Sequence, residues 1–313
     1  MGCVLDTRHR HGRACVVDGT ESAGGDCLKL LIAGVTCTDV SAMGKRLRSC
    51  GPSVLVFVAW AYQALFDQPD IILMECTPYL LKSKSLLAIF EKHYEINACT
   101  FGPTDLGIPS ERQRAYFILR RKERFPRPMS VPFTPSGFGS MFFRRMDLTA
   151  EAYLLASHED REEIIRERAK DRGLPPSPGR GSSWRLEHVL SPSSQAHFRD
   201  YVAAAEVVVG GPAVVDVGQS LQFIHTVRPM VFPVLLQRSI LAVTDGRPVH
   251  ALEHLIAMGI PAPRLGAGVD VLGIPGIEEL PDQQIRSLMG NAMHVCAVGS
   301  VALFALGVCK FTQ

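Results

Sequence analysis

The sequence predicts an α/β fold: a partial, mostly parallel sheet interrupted by an inserted region. Three observations predict it. In the first 124 residues, apolar runs of strand length alternate with longer apolar runs of helical length. Residues 125 to 140 (FPRPMSVPFTPSGFGS) break that alternation with Pro, Gly and Ser. A long apolar stretch, Ala292 to Cys309, then reads as a buried helix returning to the first part.

In order, Leu28 to Val35 reads as a strand leading into Cys37. PSVLVFVAWAYQALF suits a helix packed on a sheet. Asp70 to Met74 reads as a strand leading into Glu75, Leu80 to His93 as a helix, and Arg114 to Leu119 as a strand. Cys37 and Glu75 both follow the carboxyl ends of their strands, where open α/β sheets bind ligands. A thiol and a carboxylate are thus expected in one cleft.

Residues 147 to 172 read as a charged helix, 175 to 183 as a flexible loop and 205 to 245 as strand-rich. HALEHLIAMGIP reads as a helix ending at Gly259, and the last helix begins near Gln284 and runs through Asn291. The expected division is a tail, 1–26, that is disordered; an α/β part, 27–124; an inserted region, 125–228; and 229–313, carrying the rest of that region and the returning helix.

The net charge of +2 gives no overall polycation, so any basic groove is local. The nine cysteines are odd in number in a large chain, which favours reduced thiols in an intracellular protein. Val54 to Leu65 is too short to span a membrane, and Ala292 to Cys309 contains His294 and Ser300, so no insertion is expected. Met1-Gly2-Cys3 is close to an acylation site, but Thr7 sits one place late.

The ordered set of Cys37 in GVTCTDVSAMG, Glu75-Cys76-Thr77, Gly107-Ile108-Pro109-Ser110 with Arg112 and Arg114, the segment from Pro233 to Pro261, and Gly290-Asn291-Ala292 resembles the cytosine-5 methyltransferase family. The resemblance covers roughly 27–124 and 229–306. It implies a partial Rossmann-like methyltransferase sheet with an inserted target-recognition region, and DNA as substrate, with transfer RNA an alternative. A nuclear location follows if DNA is the substrate.

The resemblance also implies roles. The Cys37 thiolate attacks carbon 6 of an extruded cytosine, as a thiol nucleophile in covalent catalysis does. The Glu75 carboxyl holds or protonates ring nitrogen 3. Carbon 5 takes a methyl group from S-adenosylmethionine. Arg112 and Arg114 support the flipped nucleotide. Ser41, Gly44, Lys45 and Arg46 lie on the substrate side, with the two cations placed to favour the thiolate. Gly290 and Asn291 lie on the cofactor side.

The departures are specific. Val35-Thr36 replaces a Pro-Pro, Val40 a Phe, Cys76 an Asn and Ser110 a Gln. No Phe-x-Gly-x-Gly-Gly loop precedes Cys37. That loop carries most of the cofactor contacts in the family. The expectations are an incomplete product, a subunit completed by a second chain that supplies the front, or a degenerate nucleic-acid-binding relative.

Two zinc alternatives arise. His250-Ala251-Leu252-Glu253-His254 fits the His-x-x-Glu-His pattern, with Glu278 or Glu279 as third ligand. Cys3, His9, His11 and Cys15 form an irregular cluster. Residues 120 to 127 (RRKERFPR) and Arg144-Arg145 are candidate phosphate contacts.

Overall fold

A computed structural model of the chain describes residues 28–35, 51–179, 182–223, 227–265, 274 and 276–309. The tail, the Cys37 to Arg46 segment and the Cys3–Cys15 cluster lie outside the described residues.

The run Ile71–Cys76 forms β2, in which every residue is buried. A strand covered on both faces needs such a continuous apolar run. β2 pairs in parallel with β1 (Leu30–Gly34), Gly34 standing opposite Glu75. On its other side it pairs antiparallel with β4 (Arg114–Arg121), Glu75 opposite Tyr116. The fourth strand, β3 (Tyr94–Phe101), pairs antiparallel with β4, and the order is β1-β2-β4-β3.

The mostly parallel sheet expected from sequence is therefore corrected to a mixed one. The cause is β3, which runs antiparallel to β4: the connection between them, residues 102–113, holds a 3-10 turn, Pro103–Leu106, and no crossover helix.

α1 (Pro52–Asp67) starts with Pro at its first position, where a missing N–H is harmless, and stops at Gln68 in the left-handed region before Pro69. Its Phe57, Ala61 and Ala64 pack with Ile72, Met74, Phe117 and Leu119. The Leu80–His93 helix is corrected to a 3-10 turn, Pro78–Lys82, followed by a shorter α2 (Lys84–Glu91).

The opposite face of the sheet is covered by the C-terminal helix α9 (Val295–Val308), whose Ala297, Val301, Phe304 and Ala305 pack with Ile71, Leu73, Tyr116 and Ile118. Strand alternation thus sends Ile72 and Met74 toward α1, and Leu73 and Glu75 toward α9. By length and composition, Asp282–Val308 is one stretch apolar enough to cross a membrane. It is broken into α8 (Asp282–Asn291) and α9 at Ala292–His294, and the inner side of α9 is buried on the sheet.

The remaining elements are α3 (Gly137–Phe142), α4 (His158–Asp171), α5 (Leu186–Val189), α6 (Pro192–Val208), β5 (Val214–Asp216), β6 (Leu241–Val243) and α7 (Ala251–Ala257). α4 opens on a capping box in which Ser157 and Asp160 satisfy each other's backbone N–H. The strand-rich expectation for 205–245 is corrected: α6 runs to Val208, and among the described residues the strands are β5 and β6, three residues each, with isolated bridges at Ala213 and Phe232. α6 wins because Ser191 caps it and Phe198, Tyr201 and Ala205 bury one stripe, which overrides the β-branched run at 207–209.

Candidate functional site

Alternation places the site. On β4, Arg114 and Tyr116 project to the same face, and their neighbour across the pair is Glu75 at the end of β2. Arg114 Nε lies 3.0 Å from Glu75 Oε1. Glu75 is buried at 7% exposure, so the ion pair is shielded from solvent and worth more than a surface one.

Arg112, 4% exposed, donates from Nη2 to the Ala292 carbonyl at 2.6 Å. It therefore holds the break between α8 and α9 against the loop before β4. That loop is fixed at two further points. Gly107 has φ +83, and a Cβ there would stand 2.9 Å from the Arg145 carbonyl oxygen, so only glycine fits. Phe232 N–H donates to Pro109 O and Glu111 N–H to Phe232 O, at 2.9 and 2.8 Å.

A shallow recess with room for about one water molecule opens between β1, β2 and α9, lined by Ile32, Leu73, Glu75, Tyr116, Met293 and Val298. Burial pushes the Tyr116 hydroxyl above its usual range, and the Glu75 charge adds to that. At neutral pH Tyr116 remains a protonated phenol beside the carboxylate. Tyr116 and Met293 were not singled out from sequence. The two-residue spacing from Arg114 is the signal that points to Tyr116.

Cys37, Ser41, Gly44, Lys45 and Arg46 are outside the described residues. The last described residue before them, Val35, donates its N–H to the Glu75 carbonyl at 3.1 Å.

Gly290 and Asn291 make internal contacts. A Cβ on Gly290 would lie 2.3 Å from Gln237 N and 2.4 Å from Leu236 C, so α8 meets that backbone through glycine. Asn291 Oδ1 accepts from Gln237 Nε2 at 2.8 Å, and its Nδ2 donates to Ser287 O at 3.2 Å. Among the described residues no glycine-rich loop follows a strand of the main sheet.

The His-x-x-Glu-His alternative fails on geometry. Glu253 Oε1 accepts from Ala156 N–H at 2.8 Å and Oε2 from His250 N–H at 2.7 Å. His250 Nδ1 caps the helix by accepting from Leu252 N–H. His254 is fully enclosed, and burial pushes its pKa down to about 3. The motif braces α7 against the segment before α4, and no three metal-ligating side chains converge among the described residues.

The basic run at 120–127 is also largely structural. Arg120 is buried and paired with Glu95, Arg121 and Arg124 face Asp70, and Lys122 donates to the Glu91 carbonyl. Arg144 bonds the carbonyls of Met141 and Phe143, while Arg145 is exposed beside Asp147.

No family model matches the chain, and no curated protein matches it. Among solved structures, the Entamoeba histolytica methyltransferase EhMeth aligns at 15% identity with a TM-score of 0.46, covering 89% of this chain and 77% of that one. S. pombe Dnmt2 methyltransferase aligns at 14% identity and 0.42, covering 90% and 78%. A putative DNA modification methyltransferase encoded within a prophage of E. coli aligns at 12% identity and 0.46, covering 90% and 79%. At such identities and scores these likenesses carry no weight for activity, which has to be read from the chain's own residues.

Proposed function

We propose that this chain is the base-handling part of a cytosine-5 methyltransferase-like protein acting on nucleic acid, with DNA as the substrate. The observation that carries the reading is the shielded Glu75–Arg114 pair at the end of β2, beside Val35, which lies two residues before Cys37 in sequence. An amidine edge such as cytosine nitrogen 3 and its 4-amino group is matched by a carboxyl that a fixed cation orients.

In this reading the Cys37 thiolate forms a bond to carbon 6 of an extruded cytosine. The electron pair displaced from the 5,6 double bond makes carbon 5 nucleophilic, and the Glu75 carboxyl stabilises the ring at nitrogen 3. Arg114 holds Glu75 in place, and Arg112 fixes the loop beside it. Carbon 5 would bond to the methyl carbon of a sulfonium donor, whose sulfur would leave as a neutral thioether. Loss of the carbon 5 proton to a water or hydroxide base then expels the thiolate and restores the double bond. The methyl donor implied by the family is S-adenosylmethionine, and no contact to it is assigned to the described residues.

The test is covalent trapping on DNA whose target cytosine is replaced by 2-pyrimidinone. That base lacks the 4-amino group, so its carbon 6 adds a thiol without methyl transfer. An adduct that survives denaturation, is lost in Cys37→Ala and is weakened in Glu75→Gln is expected. The same base in an RNA hairpin should trap less. Wild-type protein with a native circular dichroism spectrum that gives no adduct on either strand would overturn the reading.

A further inference from the structure

β1 lies at the edge of the sheet, and its outer side is unpaired among the described residues. Lys29 and Val35 bond to β2, so by alternation the N–H and C=O groups of Leu30, Ile32 and Gly34 point outward. Soluble proteins guard such an edge with charges, proline or a bulge. Leu30–Gly34 has none of these, and Leu30 and Ile32 are 38% and 43% exposed.

Both flanks of this edge are apolar as well. On one face, Trp60 of α1 turns toward α2 through Phe90. Helical geometry then aims Val58 and Leu65 away from α2, over the free edge. Next to them, Leu55, Tyr62 and Phe66 stand 73%, 64% and 83% exposed. Leu55, Ala59, Tyr62 and Phe66 follow a 4-3-4 spacing, which makes a second apolar stripe opposite the buried one. On the other face, the recess beside Ile32 is walled by Met293, Val298 and Val301. α1 carries one charged residue, Asp67, and α9 carries none.

We infer that this edge is an interface for a second α/β polypeptide, which adds a parallel strand to β1 and packs an apolar helix on the α1 stripe. Three features select that occupant. The surface lacks charge, so the partner face is apolar. The five residues Leu30, Ile32, Leu55, Tyr62 and Phe66 alone expose on the order of 600 Å² of apolar surface, at the upper limit for a free monomer and near the ~800 Å² one side of a stable interface buries. A parallel β1–β2 pair belongs to a sheet covered on both faces, and parallel continuation brings crossover helices with it. A second copy related by a two-fold axis would instead pair β1 antiparallel.

An added parallel strand would end beside Gly34 and Glu75, at the mouth of the recess. The partner's strand-end loop would then stand beside Glu75, within reach of a bound base and its methyl donor, a consequence that rests on the function proposed above. The interface itself does not.

The experiment is photo-cross-linking in cells that naturally make the protein, with p-benzoylphenylalanine at Tyr62, at Phe66 and, as a control, at Val207 on α6. The expected result is one polypeptide captured from both α1 positions and not from Val207. Its cross-linked peptide should lie in a helix that follows a sheet strand. With that polypeptide co-purified, amide exchange at Ile32 should slow at least ~100-fold, and Ile32→Lys should abolish capture from Phe66. Adducts only to copies of this chain, only within the chain, or to the same mixture as Val207 would overturn the inference, as would unchanged exchange at Ile32. Glu75→Gln in the purified pair separates the two claims: it should abolish methyl transfer and leave capture intact.

Discussion

Arg114 and Glu75 sit on adjacent antiparallel strands with Nε and Oε1 3.0 Å apart, on the sheet face covered by α9. Their backbones hold them there, so the geometry does not depend on a loop. Removing the cation deletes an ion pair made by a carboxylate that is 7% exposed. Arg114→Ala should therefore destabilise the fold by about 1–3 kcal/mol, the range for losing a charged partner of a buried group. Urea unfolding at pH 7.5 measures it. Arg114→Lys should recover part of the stability and less of the trapping, because a point charge does not reproduce the planar guanidinium.

The Arg112 guanidinium ties the start of β4 to the Ala292 carbonyl, 180 residues away in sequence. A hydrogen bond from a charged donor contributes about 1.5–3 kcal/mol. Arg112→Met keeps the bulk and removes the donor. It should cost about 2 kcal/mol and speed amide exchange in the first turn of α9, Val295 to Val298, more than in β2. Equal acceleration in both elements would mean that Arg112 acts on global stability only.

The resemblance puts Gly290 beside a cofactor, while the structure puts it against the backbone of residues 236–237. Gly290→Ala should therefore destabilise by about 3 kcal/mol or more, since the collision is with backbone, which cannot rotate aside. Asn291→Ala should lose under about 1 kcal/mol, because its bonds are exposed. Thermal melts of the two variants decide. A mild Gly290→Ala would mean that the backbone of residues 236–237 gives way and that the close contact carries little stability.

Particular residues show how far the sequence could be read. β1, β2, β4 and α1 were legible because each is an apolar run with one simple period. β3 was overlooked, although Tyr94, Ile96 and Ala98 alternate with Glu95 and Asn97 at the period of a half-buried strand. Their polarity makes sense only once Arg120 on β4 is placed opposite Glu95, a long-range pairing that no local window contains. Glu75 and the two arginines were found as motif positions, but their shared face follows from the antiparallel register of β2 and β4. The parallel sheet first expected would have placed them otherwise. His250 and Glu253 misled for the converse reason: a capping box and a metal motif use the same residue types at the same spacing.

Two histidines make stability depend on acidity. Burial holds the pKa of His294 down to about 4, with the Arg112 charge adding to the effect, and holds His254 down to about 3. Both are at most 1% exposed. In the unfolded chain each titrates near 6.5. Above pH 6.5 both states leave these rings neutral, and the native packing is unpenalised. As pH falls below 6.5 the unfolded chain binds protons that the folded one refuses. Stability should drop by about 1.4 kcal/mol per pH unit for each histidine, toward the folded pKa. Glu253 works in the opposite sense, since burial raises its pKa and acid favours its folded form. The clean measurement is therefore a difference. Unfolding free energies of wild type and His294→Asn at pH 7.5, 6.0 and 5.0 should converge as pH falls, because the variant loses one titrating ring. Parallel curves over that range would show that His294 takes up its proton in the folded chain as readily as in the unfolded one, and the buried neutral ring would have to be abandoned.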